Sequence, residues 1–327
     1  MAAFLIALLV LVALALLISF SAAHTIVEKE VRRRKTKQAN LFEPREYDYF
    51  QEEIDSEYYK QAYKWVKEQE KQVLSIESED GLKLNAHYYK KDGAKNTAII
   101  APGWTDVKEK FFTPVKMFYD LNFNVLIIDQ RAQGTSEGEY NTFGVMESSD
   151  VLKWVSYLKE NKLADKIVLW GISMGAATIM LAASKLDENS PVVCAVEDCG
   201  YTDMEDQFLF VMGSRAPWLP AFLGVFIIKI VRLLLKRRAG FSSLDAAPVN
   251  KLPECKIPML FIHGDEDDFV PFYMLEDLFN AHKGPKQKLV IKGAKHAQAL
   301  YKGTEQYISA LQDFLKISNI KENDKNG

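Results

Sequence analysis

The sequence has no surplus of positive charge. Its 41 lysines and arginines stand against 44 aspartates and glutamates, a net charge of −3 at pH 7. That balance argues against a general nucleic-acid binder, whose affinity rests on neutralising phosphates. Cysteine is scarce: Cys194, Cys199 and Cys255 are the whole set, with no C-x-x-C pair and no spacing of a disulfide framework. An odd number of isolated thiols fits reduced, buried side chains in a cytoplasmic compartment. Internal repeats are absent, and low complexity is confined to the polar tail "NIKENDKNG" (319–327). No lysine or arginine precedes the first apolar run, as one would in the n-region of a secretory signal peptide. What is abundant is core-forming material, 48% hydrophobic and 12% aromatic over 327 residues.

That first run is uncharged from Ala2 to Ala23. A helix of about 20 such residues spans a bilayer. A cleaved signal peptide is the competing reading, since Ser21 and Ala23 are small. Its missing basic n-region and its length favour an uncleaved anchor over 1–24. Positive charge follows in "VRRRKTK" (Val31–Lys37). Lysine and arginine favour the cytoplasmic side, so a single-pass protein of the cell membrane is expected, N-terminus outside and body in the cytoplasm. Residues 25–72 then read as a basic juxtamembrane stretch and an amphipathic helix, "SEYYKQAYKWVKEQEK", joining anchor to body.

From residue 73 the chain alternates. "QVLSIESEDGLKLNAHYYK" reads as a hairpin about Asp80-Gly81. Buried-strand runs follow in "NTAIIAPG", "FNVLIID", "KIVLWGIS", "VVCAVEDCG", "PMLFIHGDED" and "QKLVIKGAKHA". Between them lie helical stretches such as "VKEKFFTPVKMFYDL" and "GAATIMLAASKL". Apolar runs bounded by Gly, Pro and Asp suit strands covered on both faces, so the expectation is an α/β fold with a mostly parallel sheet of about eight strands. The core would occupy 73–200 and 253–318. Between them, 201–252 lacks a strand pattern and holds the greasy "WLPAFLGVFIIKIVRLLLKRR". It reads as a helical cap, with Lys229, Arg232 and Lys236 on one stripe and an apolar face toward acyl chains or the membrane interface.

Gly171-Ile172-Ser173-Met174-Gly175 sits where a buried strand ends and a helix begins. In that setting G-x-S-x-G predicts a nucleophile elbow that exposes the Ser173 hydroxyl above the sheet. A serine needs a base, and the base an orienting acid, both downstream. Of the five histidines, His296 alone follows every candidate acid at a strand end; His263 ends a strand but precedes the acids of the "HGDEDD" turn. The acid stays open between the "HGDEDD" turn (Asp265, Asp267, Asp268) and Asp198 of "VEDCG". The Met174 N–H at the helix start and the Trp104 N–H after Pro102-Gly103 are the expected oxyanion donors. No metal or organic cofactor is called for.

Together these motifs resemble the serine α/β-hydrolase superfamily, in its esterase, monoacylglycerol-lipase and S33-peptidase-like branch with membrane-anchored bacterial members. "DQRAQGTSEGEYNTFGVMESSDV" is similar to the family's D-x-R-G-x-G-x-S segment, with Ala132 and Gln133 where Gly and His are common. "IHGDEDDFVP" matches H-G-x-x-D-x-x-V-P, which implies Asp267 as the acid and leaves Asp198 in reserve. Pro102-Gly103-Trp104 departs from the usual His-Gly-X. The resemblance implies an ester hydrolase, acting on a small-molecule or lipid ester. A peptidase, amidase or acyltransferase with the same residues is the alternative, and an inactive membrane scaffold the rival of another class.

Overall fold

In the computed structural model, residues 1–33, 56–187 and 189–318 are described. The "RKTK" run beyond Arg33 and the tail 319–327 lie outside them.

Eight strands form one sheet: β1 (Gln72–Glu77), β2 (Lys83–Tyr89), β3 (Thr97–Ala101), β4 (Asn124–Ile128), β5 (Ile167–Ile172), β6 (Val192–Asp198), β7 (Met259–Gly264) and β8 (Lys286–Ile291). Their order is β1-β2-β4-β3-β5-β6-β7-β8. β1 and β2 are antiparallel, and every pairing from β4 to β8 is parallel. The uninterrupted apolar runs are explained by cover on both faces. Trp170, Phe118 and Tyr307 pack on one side; Trp154, Phe261 and Ile179 pack on the other.

The helices are α1 (Ala2–Ile26), α2 (Glu57–Glu68), α3 (Phe112–Asp120), α4 (Val145–Glu160), α5 (Met174–Ala183), α6 (Met204–Arg215), α7 (Ala221–Arg238), α8 (Tyr273–Ala281) and α9 (Thr304–Ile317), with short helical turns between. α2 is capped by Ser56, whose hydroxyl accepts the Tyr59 N–H at 3.1 Å. Its Tyr59 and Tyr63 pack on Phe112, so it lies against the body. α3 begins at Phe112 rather than at Val107, where the apolar spacing places its start. Asp129 takes both the N–H and the ammonium of Lys108, which holds residues 107–111 as a loop. α4 starts at a boxed cap, with the Glu147 carboxylate accepting the N–H groups of Thr142 (2.7 Å) and Gly144 (3.0 Å).

Residues 201–252 form α6, α7 and short turns, without a strand. Arg232 of α7 grips Glu205 of α6 through two bonds (2.8 and 2.6 Å), and Ser243 donates to the same carboxylate. Arg232 thus leaves the expected outward stripe, while Lys229 and Lys236 stay exposed. α1 is longer than the uncharged run, and a π-helical turn, Val27–Val31, continues it. Across Ala3–Val31 this helix is long and apolar enough to cross a membrane, a property that signal sequences share. Its end is built into the body. Ala23, Val27 and Val31 are fully buried in a third cluster with Met174, Tyr201, Val231 and Leu235.

Candidate active site

Ser173 stands between β5 and α5 with φ 55° and ψ −118°, a left-handed strain that a β-carbon resists. The flanking glycines are a matter of space. A β-carbon on Gly171 would lie 2.2 Å from the Gly175 carbonyl oxygen, and one on Gly175 would lie 1.9 Å from that of Ala101. Only hydrogen fits at either place, which lets the strand turn into the helix within one residue. Met174 opens α5, so its N–H has no acceptor in its own helix and points out of the positive dipole end.

His296, after β8, closes on this serine. Its Nε2 is 3.0 Å from Ser173 Oγ, and its Nδ1 is 2.8 Å from Asp267 Oδ2. The carboxylate accepts the Nδ1 proton, which leaves the Nε2 lone pair for the serine O–H. Asp267 lies after β7 and is held from several sides. It accepts the N–H groups of Phe269 (2.9 Å) and Val270 (2.8 Å), and His263 Nε2 approaches to 3.2 Å. Burial alone would raise its pKa, but the two imidazoles hold the carboxylate well below its usual range. Burial likewise opposes charge on His296, and the Asp267 carboxylate overcomes it, raising His296 above 6.5. The His296 side chain keeps 16% of its surface exposed, so water can reach it.

The other candidate acids go elsewhere. Asp265 accepts the Gly293 N–H at 2.6 Å, and Asp268 is exposed. Asp198, the reserve, accepts a hydrogen bond from the Tyr307 hydroxyl (2.9 Å), which in turn accepts from Trp170 Nε1 (3.0 Å). Burial pushes it up to about 6. It senses the charge of His296 without sharing a hydrogen bond with it among the described contacts. Cys199 Sγ lies within 4.8 Å of ligand atoms of Asp267 and His296, the geometry of a three-donor metal cluster. Burial and neighbouring carboxylates push that thiol well above its ordinary pKa.

Opposite the serine runs the loop from Pro102 to Asp106. A β-carbon on Gly103 would touch Ser173 Cβ at 3.6 Å, so Gly103 borders the serine side chain. Two glutamines brace the loop, and neither was marked as a site residue by the sequence. Gln130 donates to the Pro102 carbonyl (2.7 Å) and accepts from Thr178 of α5 (2.9 Å). With its amide turned, Gln133 donates to the carbonyls of Asp106 (2.7 Å) and Gly103 (3.2 Å), and the Asn141 amide, turned likewise, donates to the Gln133 oxygen (2.9 Å). Their signal is the "DQRAQ" segment itself, including the Gln133 departure. His263, set aside because it precedes the acid, is the other missed contributor. It occupies the histidine of the H-G-x-x-D motif.

A family model for the alpha/beta hydrolase fold matches residues 97–244. The Pyrococcus furiosus esterase Pf2001 superposes with a TM-score of 0.62 at 25% identity, over 76% of this chain and 91% of that one. The chain has the α/β-hydrolase fold. Among relatives, Bacillus subtilis (strain 168) YqkD is 29% identical over 263 residues, 79% of this chain and 83% of its own. A thiohydrolase of Eupenicillium brefeldianum is 28% identical over 142 residues, 42% of this chain and 45% of its own. The sheet, the interrupting helical region and the esterase likeness make this α/β-hydrolase chain a hydrolase.

Proposed function

We propose that this hydrolase cleaves carboxylic esters through an acyl-enzyme, with Ser173 as nucleophile, His296 as base and Asp267 as its orienting acid. The observation that carries the reading is the unbroken relay Asp267 Oδ2–His296–Ser173 Oγ at 2.8 and 3.0 Å. His296 Nε2 takes the serine proton as Oγ attacks the ester carbonyl. The resulting oxyanion is stabilised by the N–H groups of Met174 and Trp104, each worth about 3 kcal/mol. Protonated His296 then gives its proton to the leaving alcohol. In the second half, His296 deprotonates a water that attacks the acyl carbonyl, and Ser173 is released with the acid.

The membrane is the proposed setting, with α1 as anchor and the body on the cytoplasmic side. Support comes from α7, packed alongside α1, which exposes Phe222 (71%), Phe226 and Leu233 (66%). Trp218 just ahead of it is 80% exposed. Such side chains, with Lys229 and Lys236 among them, suit an interface where rings meet acyl chains and ammonium groups meet headgroups. Acyl esters or lipids are therefore the substrate class we favour.

The test is labelling of the full-length protein by a fluorophosphonate, beside hydrolysis of p-nitrophenyl esters and of aminoacyl amides. Wild type should be labelled and should cleave the esters, while Ser173→Ala does neither. Cleavage of amides in preference to esters would move the reading to a peptidase or amidase. Equal inertness of wild type and variant would leave a scaffold.

A further inference from the structure

The stretch following the apolar helix does not hang free of the enzyme. Val27 and Val31 are fully buried beneath the cap, and Arg238 pairs with Glu28 at 3.0 Å. Two hydrogen-bond routes run from this stretch to the loop beside Ser173. In one, the Trp104 indole N–H donates to the Glu30 carbonyl at 2.8 Å. In the other, the Val31 carbonyl accepts the Asn141 N–H at 2.8 Å. The Asn141 side-chain amide meets Gln133 at 2.9 Å, and Gln133 donates on to Gly103 and Asp106. Arg33 clamps the arrangement. Its N–H donates to the Glu139 carbonyl (2.7 Å), and its guanidinium donates to those of Ser136 (2.7 Å) and Gly134 (2.8 Å).

We infer that Glu28–Arg33 is a positioning element of the reaction site: it fixes the Gly103-Trp104 peptide against Ser173 and thereby sets the rate of acylation. The inference rests on the proposed serine-hydrolase reading, which is what gives the Trp104 N–H an oxyanion to meet. Both routes end on the same peptide, one at the Trp104 side chain and one at the Gly103 carbonyl. A donor set askew by a fraction of an ångström weakens transition-state binding while leaving ground-state binding alone. The exit of the anchor therefore acts on kcat, and Trp104 has two parts: a backbone N–H toward substrate and an indole toward the anchor.

The experiment uses the full-length protein in detergent with p-nitrophenyl butyrate, an ester too short to need the cap. Trp104→Phe keeps the ring and removes the indole donor; Arg33→Ala releases the clamp and leaves Trp104 in place. Each is expected to lower kcat by about 10-fold, part of the full effect of losing an oxyanion donor. KM should stay within about twofold, the mark of an interaction made in the transition state. The double variant should be no slower than the slower single, because both act through one peptide. Fluorophosphonate labelling of Ser173 should slow in parallel. Unchanged kcat in both singles, a loss carried by KM, or losses that multiply in the double each overturn the inference. Should Trp104→Phe fail to fold, Arg33→Ala alone decides it. Labelled wild type with variants labelled equally fast removes this inference and spares the hydrolase reading. Wild type that takes no label removes both.

Discussion

His263 and His296 share one carboxylate oxygen: Asp267 Oδ2 lies 3.2 Å from Nε2 of the first and 2.8 Å from Nδ1 of the second. The first imidazole is fully buried and the second opens to solvent. A single negative charge is thus fixed from behind and used from the front. Because Asp267 raises the pKa of His296, the base is lost to protonation at higher pH than a free imidazole would be. On the proposed mechanism, kcat/KM should fall on the acid side with an apparent pKa above the ordinary 6.5. Asp267→Asn should move that limb to lower pH and reduce kcat by roughly 10³–10⁴-fold. A pH–rate profile of both proteins measures this, and a limb that stays in place would disconnect Asp267 from the base.

Asp198 offers a test of stability rather than rate. Its pKa in the fold, about 6, lies above the ordinary 3.8 because the carboxyl is buried. The protonated form is therefore favoured by folding. Its contribution is fully present below pH 4 and lost as pH rises through 6. Asp198→Asn imitates that neutral form and still accepts from Tyr307. It should stabilise the protein by about 1–3 kcal/mol at pH 8 and by little at pH 4. Urea unfolding at the two pH values checks it. A gain of equal size at both would point to packing instead.

A matched pair of glycines separates space from flexibility. Gly175→Ala drives a methyl group into the Ala101 carbonyl, and should cost upward of about 3 kcal/mol. Gly213, inside α6, has nothing within 4 Å of such a methyl. Gly213→Ala should instead gain about 0.5–1 kcal/mol by restricting the unfolded chain. Thermal melts of both variants should shift in opposite directions.

The cap predicts a dependence on chain length. Phe226→Ser with Leu233→Ser removes two exposed apolar groups without touching the relay. Hydrolysis of long-chain p-nitrophenyl esters presented in vesicles should fall by about 5- to 30-fold, from roughly 1–2 kcal/mol of lost apolar contact. Butyrate hydrolysis should stay within about twofold. Equal loss on both would deny α7 a role in meeting acyl chains.

How much of this was legible depends on where each constraint lies. The elbow could be read because one of its clashes is local: Gly171 is emptied for the Gly175 carbonyl, four residues away. The strands were legible because burial on both faces leaves an unbroken apolar run. The stretch 107–111 looked helical and is not, since Asp129, far along the chain, captures Lys108. Asp198 and Asp267 looked alike at two strand ends. What separates them is direction: the turn after β7 aims one at His296, and the Tyr307 hydroxyl engages the other. The docking of Glu30 and Val31 left no trace in the sequence, because backbone carbonyls carry it and every residue has one.

The concealment of all three thiols gives the molecule its own clock. Cys194 lies in the packing of the central sheet, Cys199 beside the His296 imidazole, and Cys255 at the junction of the cap with β7; none exposes more than 3% of its surface. An alkylating reagent can reach a sulfur only when its surroundings part. The order in which a pulse of reagent marks the three would report which region of the enzyme opens first, with no foreign label introduced.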